Sequence, residues 1–147
     1  MGERPVFDLE DHVFFLFSQI FSRRNRQLGE LLRPFSVTPS RWRVLAVLQQ
    51  WPGASMGRLA DLTGVERTTL TRTLDGMERD GLVARHPDPE DRRAIRLFLT
   101  DAGKTAFNGI LPSVSGHNEQ AVKDFDAEEL ATFRRLLHRM VSNLDEA

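Results

Sequence analysis

Apolar residues recur at helical spacing over most of the chain, and the first such segment predicts a long helix over Phe7–Leu32 that ends before Pro34. Around Val13–Phe21 the apolar positions cover nearly the whole circumference. A terminal helix of this kind has to be buried on several sides. Either a second subunit covers it or it is a central core helix. In so short a chain the second subunit is the favoured interpretation.

The next periodic segment predicts a helix that begins at Thr38. Thr38 is suited to cap it, and Pro39 suits the first helical position, where a missing N–H costs nothing. Residues 51–53, Trp-Pro-Gly, end this helix.

A shorter helix is predicted after Ser55, its candidate cap, and a tight turn at Thr63-Gly64 separates it from another helix that begins near Glu66. Two helices joined by a short turn that contains glycine form the helix-turn-helix pattern.

The helix near Glu66 has one apolar and one polar face at about 100° per residue. Leu70, Leu74 and Met77 share the apolar face. The polar face holds Thr68, Thr71, Arg72 and Asp75, flanked by Arg67 and Thr69. Threonine is a mediocre helix former, so the five threonines between positions 63 and 73 need another reason. Hydroxyl groups donate to phosphates and bases, which favours DNA binding over a merely solvated face.

A β-hairpin is predicted next, with strands at 82–86 and 94–99 joined by a charged turn. Alternation places Ile95, Leu97 and Leu99 on one face of the second strand. Arg92 and Arg93 lie near the tip, where a thin hairpin suits insertion into the minor groove. The nearby acidic residues can pair with these arginines, but exposed pairs contribute only about 0–1 kcal/mol. Arg96 is interpreted as a structural residue of the strand.

Two further helices are predicted after the hairpin. Thr100 caps the first, which Gly109, Pro112 and Gly116 are expected to kink or interrupt. Asp126 starts the last helix with a capping-box pattern. Its apolar positions lie on one side to the end of the chain, which suits association of the two termini with a second copy: Leu130, Phe133, Leu137, Met140, Val141 and Leu144.

The composition of the 147 residues indicates one soluble domain, with no apolar run long enough for a membrane span and no signal peptide, so a cytoplasmic location is expected. The absence of cysteine excludes disulfides and thiol-based sensing. Net charge is −1, and residues 58–99 carry 8 Lys/Arg and 8 Asp/Glu, which sum to zero. A nucleic-acid surface would therefore depend on a few arginines.

An enzyme is not expected, and neither is a cofactor or a metal. The four histidines, at positions 12, 86, 117 and 138, are far apart, and none forms a ligand pair at i, i+4 spacing. His117 and Glu119 could contribute to a metal site, but no phosphate loop or nucleophile elbow is present.

The chain resembles the MarR family of winged helix-turn-helix regulators over essentially its whole length. The most specific part is ERTTLTRTLDGMERDGLVARHPDPEDRRAIRLFLTDAG, residues 66–103. The resemblance implies a mainly α fold with a small β-hairpin wing: a DNA-binding lobe at 35–100 and dimerisation helices at 1–34 and 101–147, in a single domain.

The resemblance also implies a homodimeric repressor that binds pseudo-palindromic double-stranded DNA and releases it when a small aromatic or phenolic ligand binds. The DNA-binding residues implied are Ser55, Arg67, Thr68, Thr69, Thr71, Arg72, Arg92 and Arg93. The ligand site would draw on His12, Phe15, Gln19, Trp42 and Arg43, although an aromatic cluster at helical spacing is more often plain core. A winged-helix module that binds protein instead of DNA is the alternative, and the zero net charge of residues 58–99 favours it.

Overall fold

The computed structural model describes residues 8–146. The helices and strands are α1 (Val13–Leu32), α2 (Pro39–Gln50), β1 (Ala54–Ser55), α3 (Met56–Thr63), α4 (Arg67–Arg79), β2 (Val83–Pro87), β3 (Ile95–Leu99), α5 (Asp101–Ala121) and α6 (Ala127–Asp145), with a short 3-10 turn at Arg33–Phe35 after α1. The expected fold class, mainly helical with a β-hairpin, is confirmed.

Helix α1 begins later than the sequence pattern predicts. Phe7, the predicted start, lies outside the described residues, as does the rest of 1–7, but residues 8–12 are not helical. The Asp8 carboxylate accepts the Glu10 N–H at 3.0 Å, and His12 is extended, with φ −72° and ψ 122°. A short acidic side chain that bonds its own backbone competes with helix formation, so the predicted extension over 8–12 is wrong.

The predicted caps of α2 and α3 are confirmed. The Thr38 hydroxyl accepts the Arg41 N–H at 3.2 Å, and the Ser55 hydroxyl accepts the Arg58 N–H at 3.1 Å. Each cap satisfies a backbone donor that has no partner inside its own helix. Gly64 then ends α3 with φ +64°, a conformation that glycine adopts without strain, and turns the chain into α4.

A three-stranded antiparallel sheet in the order β1-β3-β2 replaces the simple hairpin of the sequence prediction. The hairpin strands pair as expected, with Val83 opposite Leu99 and Pro87 opposite Ile95. Strand β1 was not predicted because two residues carry no periodic signal, and only its pairing of Ala54 with Leu97 makes it a strand. We call β2, β3 and the turn at 88–94 the wing.

One core holds α2, α3, α4 and the sheet together. Its fully buried side chains include Leu45, Leu48, Leu59, Leu70, Leu74, Met77, Val83 and Leu97. Burying a leucine or valine of this kind contributes about 1.5–3 kcal/mol relative to leaving it exposed. Ile95, predicted to share the inner face with Leu97 and Leu99, is instead 49% exposed because it lies near the wing tip, beyond the edge of the core.

Helix α5 is continuous from Asp101 to Ala121, with Pro112 inside it. Of the two predicted effects of Pro112 and its neighbouring glycines, the interruption is therefore wrong, and the kink stays a prediction. A proline removes one backbone donor, and the turns on either side keep theirs. The chain divides into two compact units, one through Leu111 and the other from Pro112.

The second unit contains α6, which begins with the predicted capping box. The Asp126 carboxylate accepts the Glu129 N–H at 2.8 Å, and the Glu129 carboxylate accepts the Asp126 N–H at 2.9 Å. Large apolar side chains of α6 remain exposed, among them Val141 at 59% and Leu144 at 65%. Within residues 8–146, no helix combines the length and the apolarity that crossing a membrane requires.

Candidate nucleic-acid interface

Helix α4 presents its polar face because its apolar face is held in the core. Leu70, Leu74 and Met77 are completely buried, as predicted. The residues on the opposite side are exposed: Arg67, Thr68, Thr69, Thr71, Arg72 and Asp75. The rotation of the helix about its axis is thereby set by core packing, which leaves the hydroxyls and Arg72 on the surface.

The start of α4 is stabilised by the Glu66 side chain. Its carboxylate accepts the N–H of Thr68 at 3.1 Å and that of Thr69 at 3.2 Å. These hydrogen bonds, that from the Thr68 backbone first, lower the pKa of Glu66 below its ordinary value. Glu66 thus acts as a charged helix cap at the N-terminus, where the helix dipole favours a negative charge.

The hydroxyls of the polar face are held by bonds within the helix. Thr71 donates to the Arg67 carbonyl at 2.9 Å, and Thr69 donates to the Glu66 carboxylate at 3.4 Å. A hydrogen bond from the Thr68 side chain also contributes to the lowered pKa of Glu66. Because all three hydroxyls are exposed and a hydroxyl can rotate, each can exchange this local bond for one to DNA.

Thr63 differs from the other threonines of this region. It is buried, and its hydroxyl donates to the Leu59 carbonyl at 2.7 Å. The same oxygen accepts the Val65 N–H at 3.3 Å. Thr63 therefore closes the turn between α3 and α4 and does not belong with the exposed threonines of α4.

Ser55 and Arg67 both lie near Gly57 in the first turn of α3. A Cβ atom added to Gly57 would lie 3.5 Å from the Arg67 Nη2 and 4.0 Å from the Ser55 Oγ. Both side chains are exposed. The Ser55 oxygen caps α3, but its hydrogen stays available as a donor. A hydroxyl donor and a guanidinium that lie near the same backbone position suit a phosphate.

The wing holds Arg92 and Arg93 at its exposed turn. The acidic residue nearest the strands, Asp88, is only 15% exposed and pairs with Arg96, whose Nε lies 2.8 Å from its Oδ2. Hydrogen bonds from the Glu90 N–H and from Arg96 lower the pKa of Asp88, and the same pairing raises that of Arg96. Arg96 is therefore a structural residue of the strand, as interpreted. Within residues 8–146, no salt bridge involves Arg92 or Arg93.

Other acidic residues of this region are also occupied. Arg85 of β2 pairs with Asp75 and Glu78 of α4, and Arg41 of α2 pairs with Asp80 at 2.6 Å. Neither arginine was predicted from the sequence, because each partner lies across a turn or in another helix and no local spacing indicates the pair. The zero net charge of residues 58–99 is thus distributed unevenly. Four of the eight carboxylates, those at positions 75, 78, 80 and 88, pair with structural arginines. The four arginines at positions 67, 72, 92 and 93 remain exposed.

The five candidate ligand residues lie on α1 and α2 or just before α1. Trp42 is buried and stacks on Phe107, with ring centroids 5.2 Å apart and planes 2° from parallel. Arg43 donates to the Asn25 amide oxygen at 2.8 Å and lies 5.1 Å from the Phe21 ring centroid. Burial first, and the charge of Arg24 second, lower the pKa of Arg43.

The remaining three ligand candidates make local contacts. Gln19 accepts from Arg23 at 2.8 Å, the His12 ring lies 6.2 Å from that of Phe14, and Phe15 is half-buried. Trp42 therefore has a clear packing role, and Arg43 is a partly buried cation.

Among residues 8–146, no group of three metal-ligating side chains is close enough to hold an ion.

Comparison with known proteins shows the fold and a similarity to one family of regulators. The family model described as MarR family matches residues 37–95, which run from just before α2 into the wing. A MarR-family transcriptional regulator from Silicibacter pomeroyi superposes on 97% of this chain and 96% of its own, with a TM-score of 0.86 and 29% sequence identity. The chain is therefore similar to MarR-family regulators in both sequence and fold. Members of this family are transcription regulators and not enzymes, so the expectation of a non-enzymatic protein is confirmed.

Two further relatives agree with this MarR assignment. The HTH-type transcriptional regulator YybA of Bacillus subtilis is 27% identical over 113 residues, which are 77% of this chain and 75% of YybA. A mutant of MarR from E. coli, in a structure with operator DNA, is 25% identical with a TM-score of 0.77, over 93% of this chain and 99% of that one. The MarR resemblance drawn from residues 66–103 is confirmed.

Proposed function

We propose that this chain is a sequence-specific repressor that binds a pseudo-palindromic DNA operator as a homodimer. The observation that carries the proposal is the exposed polar face of α4, with Thr68, Thr71 and Arg72 on the side opposite a fully buried leucine face. A helix of this kind fits the major groove, where side chains contact base edges. The E. coli MarR mutant in complex with operator DNA supports the same role.

The proposed contacts with DNA differ in the part of the DNA that each residue would bind. Thr68, Thr71 and Arg72 would contact bases and phosphates from α4, with Arg67 and Thr69 at its start. Ser55, beside Arg67, would bind a backbone phosphate. Arg92 would enter the minor groove, where negative potential is strongest, and Arg93 would contact the backbone. Neither arginine has to break a salt bridge to a described residue before it binds.

The homodimer is supported by apolar side chains that remain exposed on α1 and α6. Phe14, Ile20 and Phe21 of α1 are 56–60% exposed, and Val141 and Leu144 of α6 are exposed to a similar extent. A second copy would cover such surface symmetrically. Sedimentation velocity of the wild type and of the Val141→Glu/Leu144→Glu variant tests this. We expect a dimer for the first and a monomer for the second, and a monomeric wild type would refute the proposal.

A small aromatic or phenolic effector that weakens DNA binding belongs to the same proposal. Arg43 supports it, because a partly buried cation 5.1 Å from the Phe21 ring suits an aromatic ligand with a negative group. Calorimetric titration with a panel of phenolic acids tests it against Arg43→Gln. The expected result is binding to the wild type alone, and the absence of any effect of these compounds on DNA binding would refute it.

Fluorescence anisotropy tests DNA binding directly. Bound sequences are first selected from a random pool. The DNA upstream of the protein's own gene is then used as the probe. We expect affinity to fall steeply with salt, because the arginines displace counterions. Arg72→Ala should cost about 1–3 kcal/mol and relax base preference. Arg26→Ala, which removes an exposed arginine of α1, is the matched control and should have little effect.

Two results would refute DNA recognition. One is a lack of any sequence preference in the selection, and the other is an Arg72→Ala/Arg92→Ala variant that binds as tightly as the wild type. Either would favour the protein-binding winged-helix module. Repression is tested separately, with a reporter gene behind the selected operator, whose expression should fall when the wild type is produced.

A further inference from the structure

Arg85 links the wing to helix α4 through two carboxylates. It lies in β2, and its Nη2 is 2.6 Å from the Asp75 Oδ1. Its Nε is 3.0 Å from the Glu78 Oε2. Asp75 and Glu78 are nearly one helical turn apart, so the guanidinium spans a stretch of the helix and does not contact it at a single point.

The link has the features of a geometric constraint. The Arg85 side chain is 29% exposed, less than either carboxylate, and its Nε is buried. That Nε is within ion-pair distance of Glu78 but is not aligned for a hydrogen bond, so the directed bond is the one to Asp75. A planar guanidinium that contacts two groups restrains rotation as well as distance.

The two elements joined by Arg85 are those that carry the proposed DNA contacts. Asp75 shares the exposed face of α4 with Thr71 and Arg72, and β2 leads directly into the turn with Arg92. The backbone connects the two elements through the turn at 80–82, which fixes where β2 begins. There the Leu82 N–H bonds to the Met77 carbonyl at 2.9 Å. Arg85 acts further along the strand, closer to the wing tip.

We propose that Arg85 is a positioning residue that sets the wing relative to α4, so that Arg72 and Arg92 reach their grooves together. The inference rests on the proposed DNA-binding function. It assigns Arg85 no contact with DNA, because its guanidinium is occupied by the carboxylates of α4. Specificity for the distance between the major-groove and minor-groove contacts then depends on this residue.

A coupling measurement distinguishes positioning from a merely structural role. Anisotropy titrations with the selected operator would compare the wild type, Arg85→Met, Arg92→Ala and the double variant. If Arg85 positions the wing, the loss caused by Arg92→Ala should be at least about threefold smaller in the Arg85→Met background. The loss caused by Arg72→Ala should be the same in both backgrounds, since α4 remains held by its buried face.

The conservative variant separates positioning from direct DNA contact. Arg85→Lys keeps the positive charge but has its donors on a single nitrogen, which lacks the planar fork that contacts both carboxylates. We expect Arg85→Lys to lose coupling to Arg92 as Arg85→Met does. Full operator affinity in Arg85→Lys, with an undiminished Arg92→Ala effect, would mean that only the charge matters and would overturn the inference.

The acidic partners give a test in which electrostatics and positioning predict opposite signs. Removing negative charge next to DNA should by itself strengthen binding. The Asp75→Asn/Glu78→Gln variant should instead weaken operator binding severalfold and show the reduced Arg92 coupling. Stronger operator binding with intact coupling would overturn the proposal. Thermal unfolding of each variant confirms that it is folded at the assay temperature.

Failure of this inference is distinguishable from failure of the proposed function. If Arg72→Ala and Arg92→Ala have no effect in the otherwise wild-type protein, the DNA-binding assignment itself is wrong. If both weaken binding but Arg92→Ala combines additively with Arg85→Met, the DNA-binding assignment stands and Arg85 is not a positioning residue.

Discussion

Arg96 on β3 pairs with Asp88 at the base of the wing turn, with 2.8 Å between Nε and Oδ2. Asp88 also accepts the Glu90 N–H at 2.9 Å, and its own N–H donates to the Ala94 carbonyl at 2.9 Å. One acidic residue therefore closes the turn and occupies the strand arginine. The arginines further out, at positions 92 and 93, are the ones left for the proposed contacts with DNA.

Replacing Asp88 should weaken operator binding, although it removes a negative charge next to the proposed DNA surface. Asp88→Ala deletes the acceptor of both Arg96 and the Glu90 N–H, so the turn that carries Arg92 loses its internal bonds. Anisotropy titration should show a severalfold loss. Glu90→Ala is the matched control, since it removes an acidic side chain of the same turn but keeps the backbone N–H that bonds Asp88, and should bind as well as the wild type or better. Equal effects of the two variants would contradict the prediction.

The cap at Glu66 should make stability depend on pH below about 4.5. Its pKa is lowered from the ordinary 4.5 in the folded protein, so its contribution is fully present above that value and is lost as pH falls through the folded pKa. Urea denaturation at pH 7 should therefore show wild type more stable than Glu66→Gln, with a difference that shrinks as the pH falls below 4.5. A difference independent of pH would mean that the charge of the cap contributes nothing.

Ser55 should show separable roles in folding and in DNA binding. Ser55→Ala loses the cap of α3 and should destabilise the protein by about 0.5–2 kcal/mol. Ser55→Asp keeps a capping oxygen, so thermal stability should stay close to that of the wild type. It places a negative charge beside Arg67, however, and DNA binding measured by anisotropy should fall sharply. If Ser55→Asp binds DNA normally, this position does not face a phosphate.

Gly103 should not tolerate a side chain, whereas Gly109 in the same helix should. A Cβ on Gly103 would overlap the Leu82 carbonyl oxygen, which also accepts the Thr100 N–H. Gly109 has open space around it in the described part of the chain. Gly103→Ala should lower the midpoint of thermal unfolding, while Gly109→Ala should leave it unchanged or raise it, since alanine favours a helix by about 1 kcal/mol. Similar midpoints for the two variants would count against this close contact.

Local chemistry made much of this fold predictable. The caps at Thr38, Ser55 and Asp126 are correct because capping needs only a side chain a few residues from the N–H that it accepts. The buried face of α4 follows from apolar spacing within one helix for the same reason. Where the local signal was ambiguous the predictions failed. Strand β1 is too short for a pattern, and Pro112 lies inside a continuous helix.

The candidate DNA-binding site was likewise predictable from the sequence only in part. The sequence by itself determined the resemblance to MarR regulators, the polar face of α4 and the presence of arginines at the wing tip, because each is encoded within a few residues. Tertiary structure decided which charges are available. Asp88 could have paired with Arg92 or with Arg96, and Asp75 could have remained free. Only the folded chain brings Arg85 to Asp75 and Arg96 to Asp88, since such ion pairs form across elements whose separation along the chain carries no periodic signal.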